Sequence, residues 1–213
     1  MGFFNRLKNK AKRKIFEGFY SRQIWIPPKL TTQEYLEEYG KIGWLYASVS
    51  KISQNVADTE WKAYTKAGEP VENSFALQRL LNPNPFYSLY ETLELTNMYL
   101  DLTGKAFWYL AKDSLGRVKE IWVISPAYMY IIPDFNKHIK GYVYRDGVND
   151  VPLDPDEVIF FNYPDPTNPY SGDSPAKAVS SALESDKYAS AWNRNFFYNS
   201  AEPQGVIEVP QGL

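Results

Sequence analysis

Residues 158–210 read VIFFNYPDPTNPYSGDSPAKAVSSALESDKYASAWNRNFFYNSAEPQGVIEVP. The run Val158, Ile159, Phe160 and Phe161 is β-branched and aromatic, so it is expected as a buried strand. Pro164, Pro166, Pro169 and Gly172 follow within a few residues, a density that no helix or central strand tolerates, and they mark a loop. Ser174 stands where an N-cap belongs and Pro175 at the first helical position, where a missing N–H costs nothing. From there Val179, Leu183, Ala189, Trp192 and Phe196 recur at three-to-four spacing. They predict one long amphipathic helix, Pro175 to about Tyr198, with that stripe buried. Asn199, able to take a left-handed cap, and Pro203 are expected to end it. Residues 205–209 then read as a short strand beginning at Gly205.

Working back towards the start, the middle of the chain alternates strand and turn signals. Strands are expected at residues 106–110, 118–124, 127–132 and 141–144, with turns at residues 113–116 and at Asp146-Gly147. Before them, Ser88 and Glu91 form a capping box that opens a helix to about Leu102, with Leu89, Leu93, Thr96 and Leu100 inward and Gly104 as its stop. A short helix spans residues 75–81 and ends at Asn82-Pro83. Trp61, Ala63 and Tyr64 begin a strand that turns at residues 66–70. Ile42, Leu45, Tyr46, Val49, Ile52 and Val56 set the inward face of a further helix, and Thr31 or Thr32 caps a short one through Glu37. Helices early, antiparallel strands in the middle and a long helix at the end make an α+β fold, helices packed on a mainly antiparallel sheet.

The order of strand, Pro-rich loop with Gly-x-Ser-Pro, long helix ending Phe-Phe-x-Asn-Ser-Ala-x-Pro-x-Gly, and strand resembles the portal proteins of tailed bacteriophages, of the type found in siphophages. The matching residues are Tyr170, Gly172, Ser174, Pro175, Phe196, Phe197, Asn199, Ala201, Pro203 and Gly205. The likeness extends upstream through Asn84-Pro85, residues 104–107 and residues 124–126. It implies that residues 29–213 form a wing-like domain of a portal subunit. Such subunits assemble as a homo-oligomeric ring, a dodecamer in virions, at one capsid vertex. The ring is the channel through which double-stranded DNA enters and leaves, and it is a structural part rather than an enzyme. Implied partners are the major capsid protein, the terminase large subunit and head-completion or adaptor proteins, with assembly in the host cytoplasm. Portals of this type continue past the position of Leu213 into stem, clip, tunnel loop and crown, so the sequence is expected to be a fragment or a shortened product.

Residues 1–28 stand apart as a basic arm and linker. Arg6, Lys8, Lys10, Lys12, Arg13, Lys14 and Arg22 against Glu17 give residues 1–22 a net charge of +6, which leaves −8 on the rest. Phe3, Leu7, Ala11 and Ile15 fall at i+4, so a helix there is basic and amphipathic. Arg6, Lys8, Lys10, Lys12, Arg13 and Lys14 are the candidate contacts to an anionic partner, whether lipid, nucleic acid or an acidic protein, and a solvated arm is the bland alternative. A peripheral membrane- or nucleic-acid-binding protein acting through this helix is the main rival reading.

Composition narrows the chemistry. Apolar residues make up 44% and aromatics 16% of the 213 positions with net charge −2, well inside the folding regime. There is no cysteine and one histidine, His138, which removes thiolate sites and two-histidine metal sites. His138 reads as a surface turn residue. No Gly-x-x-x-x-Gly-Lys loop is present, so ATP hydrolysis by that route is excluded, and no cofactor is expected. Asp154, Asp156, Glu157, Asp165 and Asp173 lie beside Pro, Gly, Asn or Ser, where carboxylates bond their own backbone in turns. A hydrolase using Asp165, Asp173 and Ser174 is the remaining enzymatic alternative, with Ser174 far better explained as a cap. Beyond Arg22 no basic stripe interleaved with aromatics suits tight DNA binding, whereas an acidic body suits a conduit along which phosphates slide. Gly172, Ser174 and Pro175 at the helix start, and Asn199, Pro203 and Gly205 at its exit, are the residues expected to carry structural roles.

Overall fold

Helix starts are written in the sequence by side chains that accept the first free amide protons. Thr31 and Glu34 form a reciprocal capping box at α1 (Thr32–Tyr39), and Ser88 and Glu91 do the same at α4 (Leu89–Thr103). Between them come α2 (Gly43–Ala57) and the short α3 (Phe75–Leu81), capped by Ser74. Gly104 closes α4 in the left-handed region at φ 75°, which a glycine enters without steric cost. These elements come from a computed structural model that describes residues 30–71 and 74–199. The basic arm, Pro203, Gly205 and the strand expected at residues 205–209 lie outside the described residues.

Past Gly104 the described residues form six antiparallel strands: β1 (Lys105–Lys112), β2 (Val118–Ile124), β3 (Met129–Asp134), β4 (His138–Arg145), β5 (Asp150–Leu153) and β6 (Val158–Asn162). They divide between two three-stranded sheets, ordered β2-β1-β6 and β3-β4-β5. β5 was not legible in the sequence, because Pro152 argues against a strand unless it lies at an edge, which is where β5 sits. Trp61 and Tyr64 make no full strand; a single bridge joins Tyr64 to Pro70.

Alternation along β1 explains the layering. Trp108 and Leu110 join Leu93, Ala57 and Ile121 under the helices, while Phe107 joins Met129, Tyr142 and Val158 against the second sheet. The first sheet is therefore the middle of three layers. Phe107 has no exposed surface and its ring stacks on Phe160 at 5.0 Å; burying such a side chain contributes roughly 1.5–3 kcal/mol. Trp108 satisfies its indole N–H by donating to Thr96 Oγ1 at 2.7 Å.

Two expected faces are corrected. On α2 the buried positions are Leu45, Val49, Ser50, Ser53 and Ala57, whereas Tyr46, Ile52 and Val56 are exposed. Small residues face α4 because the two helices approach closely and Asn97 Nδ2 donates to Ser53 Oγ at 3.2 Å across the contact. Apolar periodicity alone cannot see that serines line a close helix contact. The last helix is also not continuous: α5 (Pro175–Ala178) ends at Val179, whose ψ of 16° breaks the run, and α6 (Ser180–Tyr198) starts after it.

Candidate functional site

Two glycines meet where the chain passes from sheet to last helix. Gly104, after α4, and Gly172, at the end of the Pro-rich loop, lie backbone against backbone, and a methyl built on either would collide with the other's main chain. Around this contact the loop is tied back to α4. Tyr163 N–H donates to Gly104 O at 2.9 Å, and Tyr163 O–H donates to Asp101 Oδ1 at 3.0 Å. Asn97 Nδ2 donates to Asp101 Oδ2 at 3.0 Å, so both carboxylate oxygens are used. Asp101 is 5% exposed, and burial holds its carboxyl above the ordinary range against the two hydrogen bonds that lower it. Burial first, then the adjacent charge, pushes the Tyr163 hydroxyl up to about 12.

Ser174 is buried beside this contact with two bonds. Its Oγ accepts from Lys177 N–H at 3.0 Å as the N-cap of α5 and donates to Leu102 O at 3.1 Å, joining the new helix to the end of α4. Pro175 occupies the first helical position. The structure thus brings Gly172, Ser174 and Pro175 together with Leu102 and Gly104. Asn199 lies at the far end of α6 as its C-cap, but with φ −87° and ψ 21° it is right-handed, not left-handed as expected. The partners Asp101, Tyr163, Asn97 and Ser53 escaped sequence reasoning. The only local trace of them is the Asn97–Asp101 spacing of four on a helical face, and nothing in the sequence pairs position 101 with 163.

The acidic residues beside the loop are committed to turns and ion pairs. Asp165 accepts from Thr167 N–H at 2.8 Å and Thr167 O–H at 2.6 Å. These bonds, with Lys177 nearby, hold its carboxyl down at about 2. Asp173 sits 3.0 Å from Lys177 Nζ, and Asp156 pairs with Lys112. Asp154 and Glu157 cap the single turn Pro155–Glu157. His138 is exposed with φ 62° at the start of β4. Among the described residues no three His, Asp or Glu side chains are grouped to hold a metal ion, and no helix is long and apolar enough to cross a membrane.

What the junction launches is α6. Its first turns are anchored: Leu183 is 1% exposed in the core under α1 and α2. Lys187 Nζ lies 2.8 Å from the buried Glu38 carboxylate, and Trp44 Nε1 donates to Asp186 at 3.3 Å. From Lys187 to Asn199 every position is exposed. The stripe expected to be buried is not one face: Leu183 lies under α1 and α2, whereas Trp192 and Phe196 turn to the other side of the helix and stand exposed. Beyond, Trp192 is 66%, Phe197 75% and Tyr198 88% exposed, and the Trp192 and Phe196 rings stack at 5.4 Å. Tyr188, Trp192 and Phe196 share the side opposite Leu183, while Phe197 and Tyr198 lie around the rest of the circumference.

This arrangement, a glycine-clamped loop firing a projecting aromatic helix, lies inside a stretch that matches a known family model. Residues 44–213, about four fifths of the chain, match the model of the phage portal protein. The chain belongs to the phage portal protein family. Solved structures share the fold. A chain in the neck of an empty GTA particle, computed with C6 symmetry, superposes at TM-score 0.71 with 23% identity, covering 90% of this chain and 52% of its own. A chain in the neck of the native GTA particle, computed with C12 symmetry, gives 0.70 with 21% identity, covering 94% and 56%. An HK97-family phage portal protein from Corynebacterium diphtheriae gives 0.46 with 17% identity, covering 86% and 54%. The portal chain thus spans about half the length of the solved chains it matches. No curated protein sequence matches it.

Proposed function

We propose that this portal chain is a non-enzymatic subunit of a closed ring at one capsid vertex, the ring serving as the channel for double-stranded DNA during packaging and ejection. The observation that carries this reading is the projecting half of α6, where five aromatic side chains stand exposed on a helix whose first turns are firmly anchored. Isolated apolar residues on a surface need no explanation, but a contiguous aromatic patch on a helix marks a place where another chain sits. Family membership and the ring-symmetric necks to which the fold is similar support the same reading. So does charge, because the chain beyond residue 22 carries −8, which lets phosphates slide past rather than stick.

In this account the ring docks a terminase large subunit during packaging and head-completion proteins afterwards, seated in the shell of the major capsid protein. Energy for DNA movement comes from the docked motor. A dodecamer is the subunit number that the C12 relative favours. Electron micrographs of the purified product of the complete reading frame test the proposal. Annular particles with a central opening are expected; a product that remains monomeric at every concentration overturns it.

A further inference from the structure

We infer that the outer edge of β3 is covered by the chain's own residues 24–28, Ile-Trp-Ile-Pro-Pro, with Trp25 seated in the cleft between β3 and the start of α1. That cleft has a volume of about 380 Å³, and its walls include the first turn of α1, Thr31 to Gln33, and three consecutive residues of β3, Met129 to Ile131. Successive side chains of a strand point to opposite faces, so a cleft lined by three in a row runs along the strand's edge rather than over one face. The edge is open. Among the described residues β3 pairs with β4 alone, and Tyr130 and Ile132 are 46% and 38% exposed. An open edge offers unpaired amides and carbonyls that an added segment satisfies.

Reach selects the occupant. Thr31, on the wall of the cleft, is six residues from Trp25. An extended chain covers at most about 3.5 Å per residue, so Trp25 stays within roughly 21 Å of Thr31. A leash this short holds the segment at an effective concentration of the order of millimolar. Neither a segment of another copy nor the residues after Asn199, which leave from the far end of α6, share that advantage.

Composition and charge agree with reach. Ile24, Trp25 and Ile26 are β-branched or aromatic, the types that suit a half-buried edge, and Pro27 and Pro28 have no N–H to leave unpaired. Lys105 lines the cleft, and burial, with no neighbouring carboxylate to oppose it among the described residues, pushes its ammonium below the ordinary lysine range. Residues 1–22, at +6, are repelled from such a site, whereas residues 23–28 carry no charge. An indole face is the neutral surface that best accepts an ammonium.

The test uses the product of the complete reading frame with the photoreactive residue benzoylphenylalanine in place of Trp25, irradiated, then resolved on a denaturing gel and mapped by peptide mass spectrometry. A crosslink from position 25 to residues 126–132 is expected, in a product that still migrates as one chain. A crosslink that joins two chains overturns the inference, because the cover then belongs to a neighbour; so does one to another part of the same chain, or none. Trp25→Ala gives a second readout by amide hydrogen exchange. Amides of β3 are expected to exchange at least about tenfold faster than in the parent while those of β1, in the middle layer, keep their rates. Unchanged exchange in β3, or loss of protection in β1 as well, contradicts a cover confined to that edge. Neither readout depends on ring formation, so failure here leaves the ring reading standing.

Discussion

At the scale of single residues the fold turns on a contact between two glycines. Gly172→Ala puts a methyl into the main chain of Gly104, and neither backbone can yield without moving a helix end or a strand. The expected loss is at least about 2 kcal/mol of stability, within the range for strained backbone sites, read from the urea midpoint. Gly172 was visible in the sequence as part of Gly-x-Ser-Pro, but its partner was not, because 68 residues separate Gly104 from Gly172 and each glycine has a sufficient local reason to exist. Asp165 gives a prediction with a definite sign. Its carboxyl is held at about 2 against an ordinary 3.8, so the native state binds that proton less readily than the unfolded chain does. The stability it contributes is present above pH 3.8 and disappears as pH falls through that value towards 2. Accordingly, the difference in urea midpoint between the parent and Asp165→Asn is expected to be constant between pH 5 and 7 and to shrink below pH 4. A difference unchanged down to pH 2 contradicts the assignment.

At the scale of elements, caps and turns were legible because they are local. Thr31, Ser88 and Ser174 each announce a helix by a hydroxyl that accepts an amide proton three residues on. Faces were less legible, for opposite reasons in two helices. On α2 the periodic apolar residues Ile52 and Val56 are exposed and Ser53 is fully buried, because close approach to α4 requires small side chains. On α6 the apolar positions expected on one face fall on two, with Leu183 buried and Trp192 and Phe196 exposed on the opposite side, because three-to-four spacing that slips by a residue carries a stripe round the helix. The two halves of α6 should therefore answer differently to truncation. Leu183→Ala, in the core with Tyr35, Leu45 and Leu102, is expected to cost about 2–5 kcal/mol of stability. Circular dichroism melts of this variant against the parent check that expectation; an unchanged melt would mean that α6 is not anchored where Leu183 lies.

At the scale of the whole molecule three layers carry a helix that outruns them. Helices cover one side of the β2-β1-β6 sheet, the β3-β4-β5 sheet covers the other, and the glycine-clamped loop sends α6 past the edge. The α+β class and the family were legible from motif order, since strand, loop, helix and exit motif survive where overall identity to solved relatives is near 20%. What could not be read was that the far half of α6 stands exposed among the described residues, because apolar spacing does not say what lies against it. Trp192→Ala combined with Phe196→Ala addresses it directly, in the product of the complete reading frame, by sedimentation velocity alongside a urea midpoint. The account predicts that the ring is lost while stability of the subunit stays within about 0.5 kcal/mol, as for other exposed substitutions. A ring that persists in the double variant, or a subunit that unfolds with the substitution, would contradict it.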